Sequence, residues 1–490
     1  MRIPSELYQT GLALHIDLYE LTMAHGYWKL GLADREAVFH LTFRENPFSG
    51  GFALACGLEQ VLDYLTSLRF DPESLAWLAA LQAPDGTRLF DQGFLDHLRK
   101  LVLTCDVDAI PEGTVVFAEE PLLRVRGPVL QAQLLETALL NAINFQTLIA
   151  TKASRVKLAA QGQPVIEFGL RRAQGIDGGL SASRAAYVGG CDATSNVLAG
   201  RLFGIPVRGT HAHSWVTLFD DEAAAFDGWA EAMPGSCVLL VDTYDTLRGV
   251  EHAIATGRRL RERGHDLAGI RLDSGDLAWL SVEARRMLDE AGFTRTLILA
   301  SNELDEHVIT SLKDQGAAIG AWGVGTRLVT AYDQPALGGV YKLAAVREPD
   351  GRWRHTLKLS EQTAKVSTPG ILQVRRFEGP QGFVADMIWD ELSGAPEPAT
   401  LVDPLDLTRR KTLPAGTPWA DLLVPVLRDG KLVYHPPGLT EVRARAQEQL
   451  GRLHPGIRRF LHPHQYPVGL EKRLHELKTE LVLKAREANL

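Results

Sequence analysis

From about residue 160 onward, short apolar runs recur in the chain at spacings of about 20 to 40 residues, the length of one strand–helix unit. The runs are Val165–Phe168, Ile205–Arg208, Val238–Val241, Gly269–Leu272, Leu297–Ala300 and Ala318–Ala321, and a seventh, Gly339–Val346, is expected to close the set. Strands that alternate with helices pair in parallel, and this number of units predicts a barrel or partial barrel. The expected fold class is α/β: an irregular (β/α) barrel with an additional β-rich α+β domain built from the N- and C-terminal segments.

The flanking segments have a different pattern. The stretch 115–129 is strand-like with interrupting prolines, and Pro- and Gly-rich stretches follow Val346. Strands are also expected at 37–43 and 356–360, and a helix at 15–28 that Gly26 breaks. We place the domains at 1–130 (N-terminal α+β, joined by part of the C-terminal segment), 131–346 (catalytic barrel) and 347–490 (small β unit and amphipathic helices).

Bulk composition excludes several classes of protein. The net charge is −8 over 490 residues, which gives no support for a nucleic-acid surface. The four cysteines are far apart in sequence and form neither a metal pair nor a disulfide framework, so a reducing compartment is expected. The start lacks an apolar signal region, and no uncharged run is long enough to span a bilayer. We expect a cytoplasmic protein with no membrane or nucleic-acid partner.

Polar and charged residues follow nearly every expected strand. They are Gly169-Leu-Arg-Arg-Ala-Gln-Gly175, Gly209-Thr-His-Ala-His213, Asp242-Thr-Tyr-Asp245, Asp273-Ser-Gly-Asp276, Ser301-Asn-Glu303 and Gly323-Val-Gly-Thr-Arg327. The carboxyl ends of parallel strands are where α/β folds place their active sites, whereas ordinary solvated loops would not concentrate these residue types there. The pattern indicates an enzyme.

The most distinctive of these loops carries two histidines one residue apart. On an extended backbone His211 and His213 would project to the same face, beside Gly209, which allows close approach of a ligand. Such a pair can be a metal pair, a nucleophile with a neighbour, or two hydrogen-bonded rings, and spacing alone does not choose among them.

Several loops carry groups that suit anions. Arg171, Arg172 and Arg271 offer guanidinium forks for carboxylate or phosphate, and Gly-rich turns present N–H groups to phosphate. Asp273, Asp276 and Asp242 are candidates for binding Mg²⁺, although Asp276 also fits a helix N-cap. Neither a Walker loop nor a complete dinucleotide fingerprint is present.

Together these residues carry a family resemblance. The chain resembles the nicotinate phosphoribosyltransferases, of the type II phosphoribosyltransferase family, in the longer form shared by eukaryotes and some bacteria. The motifs run in the expected order over nearly the whole chain: Tyr19-Glu-Leu-Thr-Met23, Asn46-Pro-Phe-Ser-Gly-Gly51, Glu167-Phe-Gly-Leu-Arg-Arg-Ala-Gln-Gly175, Gly209-Thr-His-Ala-His-Ser214, Arg271-Leu-Asp-Ser-Gly-Asp276 and His464-Gln-Tyr-Pro-Val468.

The resemblance implies an ATP-coupled glycosyltransferase of NAD biosynthesis, also classed as a ligase. Nicotinate and 5-phosphoribosyl 1-diphosphate would give nicotinate mononucleotide and diphosphate, with ATP as co-substrate and Mg²⁺ as cofactor. The motif match places a transient phosphohistidine at His213. Asp242 would orient that ring, and Asp273 would face the ribose hydroxyls or the cationic pyridine ring. Asp276 is the candidate Mg²⁺ ligand.

The resemblance also assigns the ligand subsites. The residues implied for nicotinate are Tyr19 (from the other subunit of a homodimer with shared active sites), Phe168, Arg171, Arg271 and Ser214. Those implied for 5-phosphoribosyl 1-diphosphate are Arg171, Thr210, Ser274, Gly275, Ser301, Asn302, Gly323, Gly325 and Thr326. His211 is interpreted as local packing or a neighbour of a phosphate group.

Three alternatives remain. The first is the related nicotinamide-using phosphoribosyltransferase, which carries an acid near the position of Asn196. The second is a metal-dependent amidohydrolase barrel, which also uses His-x-His but needs further metal ligands. The third is an inactive paralogue that acts as a ligand sensor.

Overall fold

The computed structural model describes residues 12–361, 366–404, 406 and 408–487. The chain divides into two compact units, one formed by Met1–Leu148 with Ala336–Leu490 and the other by Ile149–Pro335. The sequence had placed the corresponding boundaries at 130/131 and 346/347. The helix Glu136–Ala159 contains the first division.

The Ile149–Pro335 unit is organised on a six-stranded parallel sheet. In spatial order its strands are Ala193–Thr194, Val165–Glu167, Ala321–Val324, Leu297–Ala300, Gly269–Leu272 and Val238–Leu240. A single parallel bridge between Thr194 and Val207 adds the 205–208 segment beyond Ala193–Thr194. The helices and short helical turns of this unit are Leu170–Arg172, Gly175–Val188, Val197–Phe203, His213–Val216, Glu222–Ala232, Pro234–Ser236, Thr246–Glu262, Leu277–Glu290, Glu306–Asp314 and Thr326–Val329.

Aspartates mark the passage from strand to helix at this sheet. Asp245, Asp276 and Asp305 each accept hydrogen bonds from backbone N–H groups in the first turn of the helix that follows. Such N-caps satisfy donors that the helix itself leaves unpaired. Because each cap fixes where a helix begins, it also fixes the short loop between the strand and the cap, and these loops carry the candidate site residues.

The other unit interleaves strands from both ends of the chain. Its seven-stranded sheet has the order Trp353–His355, Gly339–Arg347, Glu36–Phe43, Leu123–Pro128, Asp106–Ala109, Val424–Arg428 and Lys431–Leu432. Its six-stranded sheet has the order Arg410–Leu413, Ala399–Val402, Val468–Glu471, Gly382–Asp390, Leu372–Gly379 and Trp419–Asp421, and Ala53–Leu54 pairs with Val115–Val116. The helices and helical turns are Leu12–Leu14, Leu18–Lys29, Pro47–Ser49, Leu58–Ser67, Pro72–Ala80, Gln92–Arg99, Val129–Gln133, Leu439–Gly451 and Lys472–Glu487.

The predicted fold class is confirmed: a parallel α/β unit and a β-rich unit made from the N- and C-terminal segments. Several local predictions were wrong. Gly339–Arg347 does not close the barrel, since it pairs antiparallel with Glu36–Phe43 in the other unit. The strand expected at 318–321 is Ala321–Val324, and the one expected at 356–360 is Trp353–His355.

The first long helix also differs from its prediction. It runs from Leu18 to Lys29 and continues through Gly26, where a break was expected. Leu21 faces the core, whereas Leu18 and Met23 are exposed. Within the described ranges, no helix combines the length and the apolar character needed to cross a membrane.

Candidate active site

Arg271, on the strand Gly269–Leu272, is the centre of a polar network at the carboxyl edge of the parallel sheet. Its guanidinium donates from Nε to Ser301 Oγ (2.7 Å), from Nη1 to Thr210 Oγ1 (3.1 Å) and from Nη2 to Asp273 Oδ1 (3.0 Å). These partners follow three different strand-like segments of the chain. One guanidinium fork therefore joins three of the loops that the sequence predicted to converge.

Asp273 is held as a carboxylate in this network. Ser301 Oγ also donates to Asp273 Oδ1. Burial alone would raise the pKa of Asp273, but the hydrogen bond from Ser301 and the charge and hydrogen bond of Arg271 lower it below its ordinary value. Asp273 therefore presents a negative charge at the edge of the sheet throughout the neutral pH range.

Asp242, which follows the strand Val238–Leu240, connects to the same loop. Its Oδ2 accepts hydrogen bonds from the Asp273 backbone N–H (2.9 Å) and from Ser274 Oγ (2.6 Å). Within the described residues, its other oxygen, Oδ1, is buried and has no hydrogen-bond partner. An unpaired buried carboxylate oxygen is costly, and it marks a position where a ligand group can bind.

His213 begins the short helix His213–Val216 and stands beside Asp273. Its Nδ1 lies 3.1 Å from Thr243 Oγ1, and its Nε2 lies 3.7 Å from Asp273 Oδ2. The side chain is 44% exposed, so the ring is accessible to a substrate. Asp242 was the residue expected to orient this ring, but Thr243, directly after it in the sequence, is the one in contact.

The alternation of a strand predicted that His211 and His213 share the same surroundings, but they do not. It is buried, with 5% of its surface exposed, and its Nε2 accepts a hydrogen bond from the Leu240 N–H at 3.1 Å. The backbone is extended at Ala212 and becomes helical at His213, so the alternation of a strand does not continue through the pair. Of the readings left open, local packing describes His211.

Phe168 provides an aromatic surface at the site. The Arg271 guanidinium lies 5.6 Å from the centroid of its ring. A Cβ on Gly323 would come within 2.6 Å of that ring, so only glycine allows the ring to pack there. The preceding residue, Glu167, fixes the backbone by accepting hydrogen bonds from the Gly169 N–H and from the hydroxyls of two buried side chains, Ser183 and Thr194.

The remaining predicted residues lie on the same strand-end loops with fewer contacts. Those with exposed positions are Arg171, Ser214, Ser274, Gly275 and Asn302. Gly325 precedes the short helix Thr326–Val329. Asp276, the predicted Mg²⁺ ligand, is exposed and accepts the Trp279 N–H at 3.1 Å as an N-cap. Tyr19 belongs to the other unit, where it is half-exposed on the helix Leu18–Lys29.

Comparison of this chain with known proteins identifies its family. The family model for the nicotinate phosphoribosyltransferase N-terminal domain matches residues 14–144, and the model for its C-terminal domain matches residues 373–478. The nicotinate phosphoribosyltransferase of Bacillus subtilis is 42% identical over 483 residues, which cover 96% of this chain and 96% of that protein. This chain belongs to the nicotinate phosphoribosyltransferase family.

More distant members of the family agree. The human nicotinate phosphoribosyltransferase is 37% identical and covers 95% of this chain and 96% of its own length. The crystal structure of human nicotinic acid phosphoribosyltransferase superposes with a TM-score of 0.81 at 35% identity, covering 95% of this chain and 99% of that chain. A nicotinate-nucleotide pyrophosphorylase structure from Pyrococcus furiosus, at 22% identity and a TM-score of 0.65, shows the same fold. The resemblance read from the motifs is confirmed, and the enzyme class with it.

Proposed function

We propose that this member of the nicotinate phosphoribosyltransferase family transfers the phosphoribosyl group of 5-phosphoribosyl 1-diphosphate to nicotinate, with ATP consumed through a phosphohistidine at His213. The observation that supports this most strongly is the network around Arg271, where a guanidinium fork, an ionised carboxylate and an accessible histidine meet at the edge of the parallel sheet. Each group has a chemical task in the reaction.

Nicotinate is a flat ring with a carboxylate, and the site offers a partner for each part. The pyridine ring stacks on Phe168, and the carboxylate binds Arg271, or Arg171 on the loop that follows Phe168. Ser214 lies one residue beyond His213 and supplies a hydroxyl at the same edge. Asn196 supports nicotinate over nicotinamide, because it is a neutral, buried amide, bonded to Ser183 Oγ at 3.2 Å, near the position where the nicotinamide-using relatives carry an acid.

The transfer step is a displacement at C1 of the ribose. The pyridine nitrogen supplies the electron pair for the new N–C bond, and the bond between C1 and the diphosphate oxygen breaks, so diphosphate leaves with that electron pair. The positive charge that develops on the ring and sugar is stabilised by Asp273, which is already ionised and held in place by Ser301 and Arg271. No covalent intermediate between the sugar and the protein is needed, and positioning supplies much of the rate.

The two phosphate groups of the donor bind along the same edge. The 5-phosphate is placed at the Gly323–Thr326 loop, where backbone N–H groups and the Thr326 hydroxyl are available. The diphosphate and ribose lie toward residues of four other loops: Arg171, Thr210, Ser274 with Gly275, and Ser301 with Asn302. These assignments follow from the loop positions and from the family.

ATP coupling requires a nucleophile, and His213 is suited to that task. A neutral imidazole nitrogen attacks the γ-phosphorus, the bond to the bridging oxygen breaks, and ADP leaves. Thr243 Oγ1, 3.1 Å from Nδ1, fixes the orientation of the ring. Asp273 stabilises positive charge on the ring from 3.7 Å. Asp242 acts one step away, since its hydrogen bonds hold the loop that carries Asp273. Water later accepts the phosphoryl group and restores the ring.

Mg²⁺ is expected from the diphosphate chemistry, but the protein groups do not form a site for it by themselves. Within the described ranges, no group of three or more His, Cys, Asp or Glu side chains is placed to hold a metal ion. The carboxylate of Asp276 is used as a helix cap. Mg²⁺ would therefore be brought mainly by the phosphate groups of the substrates, and it would offset the negative charge of the departing diphosphate.

A homodimer with shared active sites completes the proposal. Tyr19 of a second copy would cover the face of the pyridine ring opposite Phe168. The exposed apolar side chains beside it, Leu18 and Met23, give the helix Leu18–Lys29 a surface suited to burial against another subunit. We place the enzyme in the cytoplasm, where its four buried cysteines remain thiols.

Product analysis tests the substrate assignment. The purified protein is given 5-phosphoribosyl 1-diphosphate, Mg²⁺ and ATP with either nicotinate or nicotinamide, and the mononucleotide and diphosphate formed are measured. We expect nicotinate mononucleotide and diphosphate in equal amounts and a higher kcat/KM for nicotinate. A higher kcat/KM for nicotinamide would favour the nicotinamide-using alternative, and no turnover with either base would favour the sensor.

A further inference from the structure

His211 is held in one protonation state by its hydrogen bonds. The backbone N–H of Leu240 donates to Nε2 at 3.1 Å, so Nε2 must carry a lone pair and no proton. The proton of the neutral ring then lies on Nδ1, which points at the Ala212 carbonyl oxygen at 3.3 Å. The ring is thus a neutral acceptor toward one strand and a donor to its own loop.

The packing around the ring keeps it neutral. Trp229 contacts it edge-on with ring centroids 5.0 Å apart, and Phe226 lies beside it. Burial, followed by the positive charge of Arg271 and that of His213 when protonated, lowers the pKa of His211 to about 4, while the hydrogen bond to Ala212 acts in the opposite direction. A ring in this state does not compete with His213 as a nucleophile.

The bonded N–H belongs to an edge of the parallel sheet. In the described part of the chain, the strand Val238–Leu240 pairs with Gly269–Leu272 and with no other strand. The opposite edge is Ala193–Thr194, extended by the single bridge to Val207. His211 lies just beyond Val207 in the sequence, and its side chain reaches the strand Val238–Leu240 at the other edge. A side chain therefore makes the link that a main-chain ladder would make in a fully closed barrel.

We propose that His211 is a positioning residue that closes the barrel between the 205–208 segment and the strand Val238–Leu240 and thereby holds His213 in place for phosphorylation. The proposal rests on the role of His213 given above. The same strand segment contacts the histidine loop twice, because Thr243, three residues after Leu240, reaches His213 Nδ1. If the contact at His211 is removed, the loop keeps its contact with the Thr243 hydroxyl and the hydrogen bond from Arg271 to Thr210, but it loses its link to the strand Val238–Leu240. The imidazole of His213 then loses the alignment with Asp273 that attack requires.

Two substitutions distinguish the effect of the hydrogen-bond acceptor of His211 from the effect of the space that its ring fills. His211→Gln keeps an acceptor at about the distance of Nε2, whereas His211→Met fills similar space and accepts poorly. The matched control is His40→Met in the other unit, because His40 is also buried and its Nε2 accepts the Leu372 N–H at 3.2 Å. All three proteins are compared with wild type for the rate of labelling from γ-labelled ATP, for kcat and KM, and for thermal unfolding.

The acceptor hypothesis predicts a specific order. His211→Met should lower the labelling rate and kcat by about tenfold to a hundredfold with little change in KM for nicotinate, the range expected for a misplaced catalytic group. His211→Gln should recover most of that loss. His40→Met should lower thermal stability without a comparable fall in kcat. Equal losses in His211→Gln and His211→Met, or wild-type kcat in His211→Met, would overturn the proposal.

A spectroscopic measurement tests the geometry independently of phosphorylation. With ¹⁵N-labelled histidine, the His211 ring, assigned from the spectrum of His211→Gln, should show a protonated Nδ1 and an unprotonated Nε2, and it should not titrate between pH 8 and about pH 5. A ring that titrates near its ordinary pKa would contradict the proposal. If wild type takes up no label from γ-labelled ATP, the phosphohistidine hypothesis is wrong, and kcat alone then tests the positioning role of His211. That role is supported if His211→Gln recovers the kcat that His211→Met loses, and it is rejected otherwise.

Discussion

Two networks of Arg and Asp side chains in this chain differ in whether every charged group finds a hydrogen-bond partner within the protein. In the β-rich unit, Arg376 donates from Nε to both oxygens of Asp386, at 3.0 and 3.1 Å, and the Tyr466 hydroxyl donates to Asp386 at 2.8 Å. All three side chains are buried. In the parallel unit, the network around Arg271 keeps its side chains partly exposed and leaves Asp242 Oδ1 without a hydrogen-bond partner among the described residues.

The difference separates a structural network from a functional one. Burial, followed by the charge of Asp386 and a hydrogen bond to it, raises the pKa of the neighbouring Glu120 well above its ordinary value. This acid is therefore neutral, its proton bonds to Asp386, and the charges of Arg376 and Asp386 balance within the protein. Around Arg271 and Asp273, charged groups and an unpaired acceptor remain available to a ligand. We therefore expect substitutions in the first network to lower stability and substitutions in the second to lower activity.

The largest effect is expected for Arg376→Met. Removing the guanidinium leaves the Asp386 carboxylate buried without its charge partner, which typically costs about 3–5 kcal/mol of unfolding free energy. Urea denaturation measures the loss. The exposed Arg286, which pairs with Glu283 at 3.0 Å, is the control, and Arg286→Met should cost less than about 1 kcal/mol. Equal effects of the two substitutions would remove the distinction between buried and open networks.

Acid should destabilise both units through one buried histidine in each. Burial lowers the pKa of His40 to about 3 and that of His211 to about 4. Because the pKa of each histidine is lower in the folded chain than its ordinary value, the unfolded chain binds protons at a pH where the folded chain does not. Stability is therefore complete above about pH 6.5 and falls as the pH approaches 4, by up to about 3 kcal/mol for each histidine. Unfolding of wild type and His40→Gln at several pH values measures this, and an unchanged slope in the variant would contradict the assignment.

Asp273→Asn should show the opposite profile to Arg376→Met. The amide keeps the shape of the side chain but removes the negative charge beside Arg271 and His213, so kcat/KM should fall by about 100-fold, as when one preorganised electrostatic group is lost. The unfolding free energy should change by about 1 kcal/mol or less. If the loss of activity is accompanied by a large loss of unfolding free energy, Asp273 has a structural role like that of Asp386, and the prediction is wrong.

The smallest effect is expected for Asp276→Asn. Asparagine caps helices about as well as aspartate, so stability should change by only a few tenths of a kcal/mol. If Asp276 serves only as the cap, the Mg²⁺ concentration that gives half-maximal activity should also be unchanged. An increase in that concentration of about tenfold would restore the direct ligand role predicted from the sequence.

The sequence predicted the parts of the molecule that depend on local periodicity and on strand ends. The strands Gly269–Leu272 and Leu297–Ala300 were placed correctly to the residue, because buried parallel strands appear as short apolar runs. The run at Gly339 could not be assigned to its sheet, since its antiparallel partner, Glu36–Phe43, is about three hundred residues distant in the chain. Strand pairing over such a distance leaves no local pattern.

The candidate site was predicted in outline and not in its contacts. The residue types at the strand ends identified the loops that Arg271 joins. The sequence offered both Asp242 and Thr243 as partners of the His213 ring, because they are adjacent, and only the backbone direction after Leu240 decides which side chain faces the ring. The separate surroundings of His211 and His213 are associated with a helix that begins at His213, which the i,i+2 spacing does not reveal.

The most direct test of the account is transfer of label from γ-labelled ATP to the protein. Wild type and His213→Ala are incubated with Mg²⁺ and labelled ATP, quenched in base, and tested for acid-labile, base-stable label. The account predicts such label in wild type and none in His213→Ala. Label of the same kind and amount in His213→Ala would contradict the assignment of His213, and the absence of label from both, with nicotinate-dependent diphosphate release intact, would show that the reaction proceeds without a phosphohistidine.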